Sequence, residues 1–329
     1  MKTKEERLEE LDKILMDNKL GFIYDFLGER DNGLVLPFFA RYMDGVIKKG
    51  LEFCVTTDRN ATAGILYKHN LVFISYGLFD RLCKLSLLIY SSGVLDGREK
   101  PFNFVNLHLV ENPFQGFSDE ADNFGDKSEV QLLLFVFDSL LGFIVAHEIG
   151  HFINKHGDRL DFSGDVRGHK HIERDELIPS HARELVADHY AFRALEFDIE
   201  NTISSDNPVV SNLLDKFKSQ RGIALLSLLF IACYFKLMDG HSPYPHFEST
   251  HPEAGVRAHF LFACYLEPYM DTSQQDYMSE VLPLTISMLQ EIYEYKGDDF
   301  VIDWSEKNSS EEIKQWYLEV YSELHKWSA

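Results

Sequence analysis

A chain of 329 residues, 45% of them hydrophobic, is long enough to fill one large core or two small ones. Its formal charge of −21 argues against nucleic acid as a partner, because phosphate binding needs clustered Lys and Arg, and against docking on an anionic membrane surface. Net acidity could steer a basic substrate segment, although its commoner meaning is solubility.

The N-terminus, Met1-Lys-Thr-Lys-Glu-Glu-Arg, runs into a charged helix over 2–17 with Leu8, Leu11, Ile14 and Leu15 on one side, and has no signal-peptide pattern. A second helical pattern covers about 34–49. Leu51 to Thr57, Ala63 to Tyr67 and Leu71 to Ser75 are β-rich and separated by turn residues, among them His69-Asn70, which predicts a small antiparallel meander. A helix is expected from Leu78 to Ser91, then a long polar stretch over 94–127. An apolar helix over about 129–156 follows, stopped near Gly157 as a C-cap.

A second polar loop, 158–180, leads to a helix around Glu184, and helices are expected over 222–238, 253–266, 279–295 and 310–327. The last begins with a capping box, Ser309 to Glu312, and lines up Ile313, Trp316, Tyr317, Val320, Tyr321 and Leu324 as a core-facing stripe. Val130 to Ala146 is interrupted by Gln131, Asp138 and Ser139, and Gly222 to Phe235 is shorter than the roughly 20 residues a membrane span needs, so both read as central helices of a soluble fold. Cys54, Cys83, Cys233 and Cys264 are scattered in apolar contexts, as reduced core residues of a cytoplasmic protein are.

The chemistry is concentrated in His147-Glu148-Ile-Gly-His151, inside the apolar helix. Four positions on a helix bring His147 and His151 within about 40° of one another, so both imidazoles can meet one ion. Glu148, about 100° round the turn, is placed to take a proton from a water the ion activates. The competing local account is an amphipathic helix that carries two histidines on one face. Downstream, Glu184-Leu-Val-Ala-Asp188 offers a carboxylate as third ligand, with Asp188 one turn on to accept the free N–H of a ligating histidine, most simply His147. His169, His171 and His181 are alternative third ligands that lack such an orienting neighbour. These features make metal-dependent peptide hydrolysis the leading expectation.

A third element, Ser249-Thr250-His251-Pro252 with Arg257 five residues past the proline, makes the resemblance specific. The order HEIGH, ExxAD, apolar helix and Thr-His-Pro…Arg resembles the Lit-type phage-exclusion peptidase family, and more distantly the heat-shock membrane and CAAX-prenyl gluzincins. It covers about 140–265, roughly two fifths of the chain, with no motif-level match in the first or last 60 residues. The resemblance implies one Zn2+ per chain on His147, His151 and Glu184, with Glu148 as base and Asp188 behind the ligands. It also implies that His251 donates to a developing oxyanion and that Arg257 pairs with a carboxylate near the metal.

The fold implied is α+β, mostly α: a gluzincin-like metallopeptidase with a small antiparallel sheet and a central HExxH helix. It would be a single peptidase domain over 1–329, with an N-terminal helical region (1–60), a metallopeptidase core (61–267) and a C-terminal helical extension (268–329). The activity implied is that of a cytoplasmic zinc endopeptidase used in phage exclusion or a related bacterial defence response. Its substrate would be a host protein such as a translation factor, with an activator or inhibitor to restrain it, and with no nucleic-acid or membrane partner. The alternatives are an ImmA/IrrE-like peptidase that cleaves a repressor, and a non-catalytic metal-binding interaction module.

Overall fold

The computed structural model describes residues 4–24, 49–97, 127–157, 174–204, 210, 214–239, 246–294, 304 and 307–328. The helix expected over 34–49 and most of the two polar stretches, with His169 and His171, lie outside the described residues.

β1 (Glu52–Thr56), β2 (Ala63–Leu66) and β3 (Leu71–Ser75) form one sheet in the order β1-β3-β2. β2 and β3 make the expected antiparallel hairpin, turned by a 3₁₀ segment at Tyr67–His69 and by Asn70 in the left-handed region at φ 49°. β1 runs parallel to β3, with Glu52 opposite Leu71 and Thr56 opposite Ser75, so the sheet is mixed and not an antiparallel meander. The cause lies in β3, whose continuous Leu-Val-Phe-Ile run is buried on both faces and therefore belongs at the centre. The two faces alternate along the strands. Cys54, Leu66, Leu71 and Phe73 pack with Leu11 and Leu15 of α1 (Lys4–Asp17), whereas Val55, Ile65, Val72 and Ile74 join the main core. Leu8, expected on the packed side of α1, is exposed.

α2 (Tyr76–Ser91) leaves β3 directly, its first turn capped by Ser75 Oγ, which accepts from the Leu78 N–H. α3 (Lys127–Ile153) is apolar all round and sits in the middle, packed by α2, α4 (Arg174–Ser204) and α5 (Gln220–Met238), with β2 along one flank. Stretches of α3 and α5 are long and apolar enough to cross a membrane, yet 78% and 72% of those stretches are buried inside the protein. α4 starts at Arg174, earlier than expected, and holds Pro179 within it although proline ordinarily ends a helix.

α6 (Ala254–Leu266), α7 (Gln275–Ser279), α8 (Val281–Glu294) and α9 (Glu311–Leu324) follow. The cap of α9 is Ser310, which accepts from the Ile313 N–H, one residue beyond the expected Ser309. Ile313, Trp316 and Val320 are buried as the stripe predicts, while Tyr321 lies outside and donates its hydroxyl to Glu267. One apolar core runs from Leu51 to Val320, so the last helix shares it with the sheet. The architecture is α+β, mostly α.

The end of α3 sets the position of the HEIGH residues. The His156 N–H donates to His151 O at 3.0 Å and the Lys155 N–H to Phe152 O at 3.0 Å, with Lys155 left-handed at φ 55°, which is a Schellman cap. Lys155, and not Gly157, is the residue that ends the helix. Gly157 is required for space, since a Cβ there would lie 2.3 Å from Tyr67 Cγ.

Candidate metal centre

His147, Glu148 and His151 occupy the last two turns of α3 and are all buried. Glu184 reaches them from α4 because the two helices touch at small residues: a Cβ on Gly150 would stand only 3.2 Å from Ala187 Cα. The glycine of HEIGH and the alanine of ExxAD are thus two halves of one helix crossing.

His147 Nε2 and His151 Nε2 lie 3.1 Å apart, and they are 3.4 Å from Glu184 Oε2 and Oε1 respectively. A tetrahedral ion with ligand bonds of about 2.0–2.1 Å has its donor atoms roughly 3.3 Å from one another, close to these separations, with the two histidines facing different oxygens of the one carboxylate. Glu184 Oε2 is also buried without a well-formed hydrogen bond, its nearest donors, His147 Nε2 and His251 Nε2, each standing 3.4 Å away. This cluster of His147, His151 and Glu184 could hold a metal ion.

The surrounding groups tune it. Burial opposes ionisation of Glu184, but His251, His151 and His147 hold its carboxyl well below the ordinary range. Burial likewise disfavours a charged His147, yet Asp188 and Glu184 hold it up to about 10, so an entering cation must displace a proton there. Burial drives His151 well below its usual value, which leaves it neutral and ready to ligate. Glu148 is not among the three donors, and burial pushes its carboxyl up to about 7.

Asp188 is fully buried and does two things at once. Its Oδ1 lies 2.9 Å from His147 Nδ1, and both its oxygens accept from Arg257, at 2.6 Å from Nη2 and 2.7 Å from Nε. Arg257 is therefore the buried counter-ion of Asp188, and its guanidinium stacks 4.6 Å over Phe235. His251 brings Nε2 to 3.4 Å from Glu184 Oε2, with its Nδ1 2.9 Å from Thr250 Oγ1. The segment that carries it is tied to α4 by Ser180 Oγ–H donated to Thr250 O and His181 Nε2–H donated to Ser249 O. His181 is thereby excluded as third ligand, because its Nδ1 also accepts from the Trp316 indole N–H at 2.9 Å.

A cavity of about 350 Å³ opens onto Glu148, His147 and Glu184, flanked by β2 and its turn (Ala63, Ile65, Tyr67) and by Tyr234 of α5. β2 is the edge strand on that side, with no further strand paired to it among the described residues. Two site residues went unread in the sequence. Tyr234, a polar residue in an apolar helix, lines the cavity, and His156 stands 2.8 Å, Nδ1 to Nδ1, from His151. The signal for His156 was its place five residues past His151, where the chain folds back over the helix end.

No protein-family profile, curated protein or solved structure matches the chain.

Proposed function

We propose that this chain is a zinc-dependent endopeptidase that cuts a cytosolic protein substrate. The observation that carries this reading is the convergence of His147 Nε2, His151 Nε2 and Glu184 at 3.1–3.4 Å, with a second acidic residue, Glu148, beside them on an open cavity. Two imidazoles and one carboxylate are a donor set that suits zinc. When bound there, zinc supplies Lewis acidity that makes a water nucleophilic near neutral pH and polarises a carbonyl.

The chain's own residues account for the remaining chemistry. Glu148, poised at about 7, can accept a proton from the attacking water and return it to the departing amine. His251 faces the acceptor-only Glu184 carboxylate with Nε2, which favours a proton on that nitrogen and makes it a donor for charge developing in the cavity. Asp188 keeps the His147 proton on Nδ1, and Arg257 holds Asp188 ionised. The edge of β2 offers backbone groups to an extended peptide by strand addition. A purely metal-binding module has no need of Glu148, whose buried carboxyl would be a cost without a use.

Elemental analysis of wild type and Glu184→Ala, with peptide hydrolysis by Glu148→Gln, tests this function. About one zinc per chain in the wild type, a marked loss in Glu184→Ala, and a metal-loaded but inactive Glu148→Gln are expected. No metal in reconstituted wild type, or full turnover by Glu148→Gln, would overturn it. The motif resemblance to the Lit-type peptidases supports a role in phage exclusion with a translation factor as candidate target. Equal phage plating on bacteria expressing wild type and Glu148→Gln would remove that role.

A further inference from the structure

A zinc-ligating histidine normally donates its second ring N–H to a carboxylate, a carbonyl or water, which fixes the tautomer that coordinates. His147 has the Asp188 carboxylate 2.9 Å from its Nδ1. His151 instead faces another imidazole, with its Nδ1 2.8 Å from His156 Nδ1. Two ring nitrogens at that distance need one N–H and one lone pair. The choice is made by the other side of His156, where Nε2 lies 3.0 Å from the main-chain carbonyl oxygen of Trp327. A carbonyl only accepts, so His156 carries its proton on Nε2 and presents a lone pair at Nδ1. His151 must then donate from Nδ1, which leaves the Nε2 lone pair facing His147 and Glu184.

We propose that the segment following α9 is a working part of the metal centre: the Trp327 carbonyl, acting through His156, sets the tautomer and orientation of His151. This rests on the metal-centre reading above. Trp327 is itself held in place. Its N–H donates to Leu324 O at 3.0 Å, its indole N–H to Glu323 at 3.2 Å, and the Arg183 guanidinium stacks 4.7 Å from its ring centroid. Arg183 immediately precedes Glu184, so one tryptophan braces both ligand-bearing helices, its carbonyl acting on α3 and its ring on α4. His156 and Trp327 are positioning residues: neither belongs to the donor cluster.

The test compares wild type, His156→Ala, His156→Gln and a chain terminated after Leu324. Zinc affinity is measured by competition with a chromophoric chelator, and the visible spectrum of each Co2+-loaded protein is recorded. His156→Ala and the shortened chain are expected to lose roughly 10–100-fold in zinc affinity and to show altered Co2+ bands. Gln, which can accept from His151 and donate to the carbonyl, should recover part of the affinity, and added imidazole should restore the bands of His156→Ala. Should His156→Ala fail to fold, the shortened chain, which keeps His156 and the buried face of α9, carries the same test. Wild-type affinity and spectrum in both variants would overturn the proposal while leaving the metal centre standing. A wild type that takes up neither ion would overturn the metal centre and this proposal together.

Discussion

Asp188 touches both Arg257 and His147, one contact serving the fold and the other the proposed metal centre, and a pair of variants can separate them. Replacing Asp188 by Leu leaves Arg257, whose side chain is only 12% exposed, as a buried cation without its bidentate partner. Breaking a buried pair from one side costs about 3–5 kcal/mol. Glu184 Oε2, 3.9 Å from Arg257 Nη2, remains as a partial partner, which points to the lower end, about 3 kcal/mol. At this chain length that is a fall in Tm of roughly 4 °C, measured with chelator present so that metal binding does not contribute. Removing both charges in Asp188→Leu/Arg257→Met should recover most of the stability, because the uncompensated charge is gone. It should not recover metal affinity, since His147 Nδ1 has still lost its carboxylate, and both variants should stay roughly 10–100-fold weaker for zinc than wild type. Thermal unfolding and chelator competition on the same samples decide the matter. If zinc affinity returns together with stability in the double variant, Asp188 serves the fold alone and its assigned action on His147 is wrong.

Glu148→Gln keeps the shape of the side chain and removes the proton acceptor, so zinc content should be unchanged while turnover falls by about 10²–10⁴; a variant that loses its metal would show that Glu148 is a ligand. Gly150→Val must push α3 away from Ala187, 3.2 Å from the new Cβ, and should cost about 1–3 kcal/mol by overpacking. Because the same crossing sets the donor spacing, zinc binding should weaken as well, and wild-type affinity in a destabilised Gly150→Val would uncouple the two. Burial lowers His246 from its ordinary 6.5 to about 4, so the unfolded chain takes up a proton first and stability is lost as pH falls from about 6.5 towards 4. The loss approaches about 3 kcal/mol. Measured with chelator, His246→Asn, which retains an acceptor for the Glu253 N–H, should lose that much less stability than wild type between pH 7 and pH 4. Parallel pH profiles would refute the assignment.

Much of the site was legible because its chemistry is written in helical periods. His147, Glu148 and His151 need only the rise and twist of one helix to share a direction, and Glu184 and Asp188 need only one turn of another. The hydrophobic pattern marked the helices for the same reason, and the exposed face of α1 at Leu8 shows its limit: periodicity names a side but not how far the neighbouring layer extends. The caps were harder. Ser309 and Ser310 are chemically equal candidates, and the one whose backbone leaves the helix is decided by how α9 docks on α4. Lys155, which no propensity marks as left-handed, takes that conformation because the chain must turn at the helix end.

What the sequence determined by itself is local: helices where apolar residues recur, a buried centre where α3 is apolar all round, and paired histidines at i and i+4. What only tertiary structure decided is every meeting between distant segments. These include the parallel placement of β1 on β3 and the Gly150–Ala187 contact that brings Glu184 within 3.4 Å of both histidines. They include Arg257 on Asp188, and Trp327 reaching His156 from 171 residues further along the chain. The physical reason is range. Backbone geometry carries information over one or two turns, whereas a metal centre is assembled by packing, and packing depends on which small residues let two helices approach.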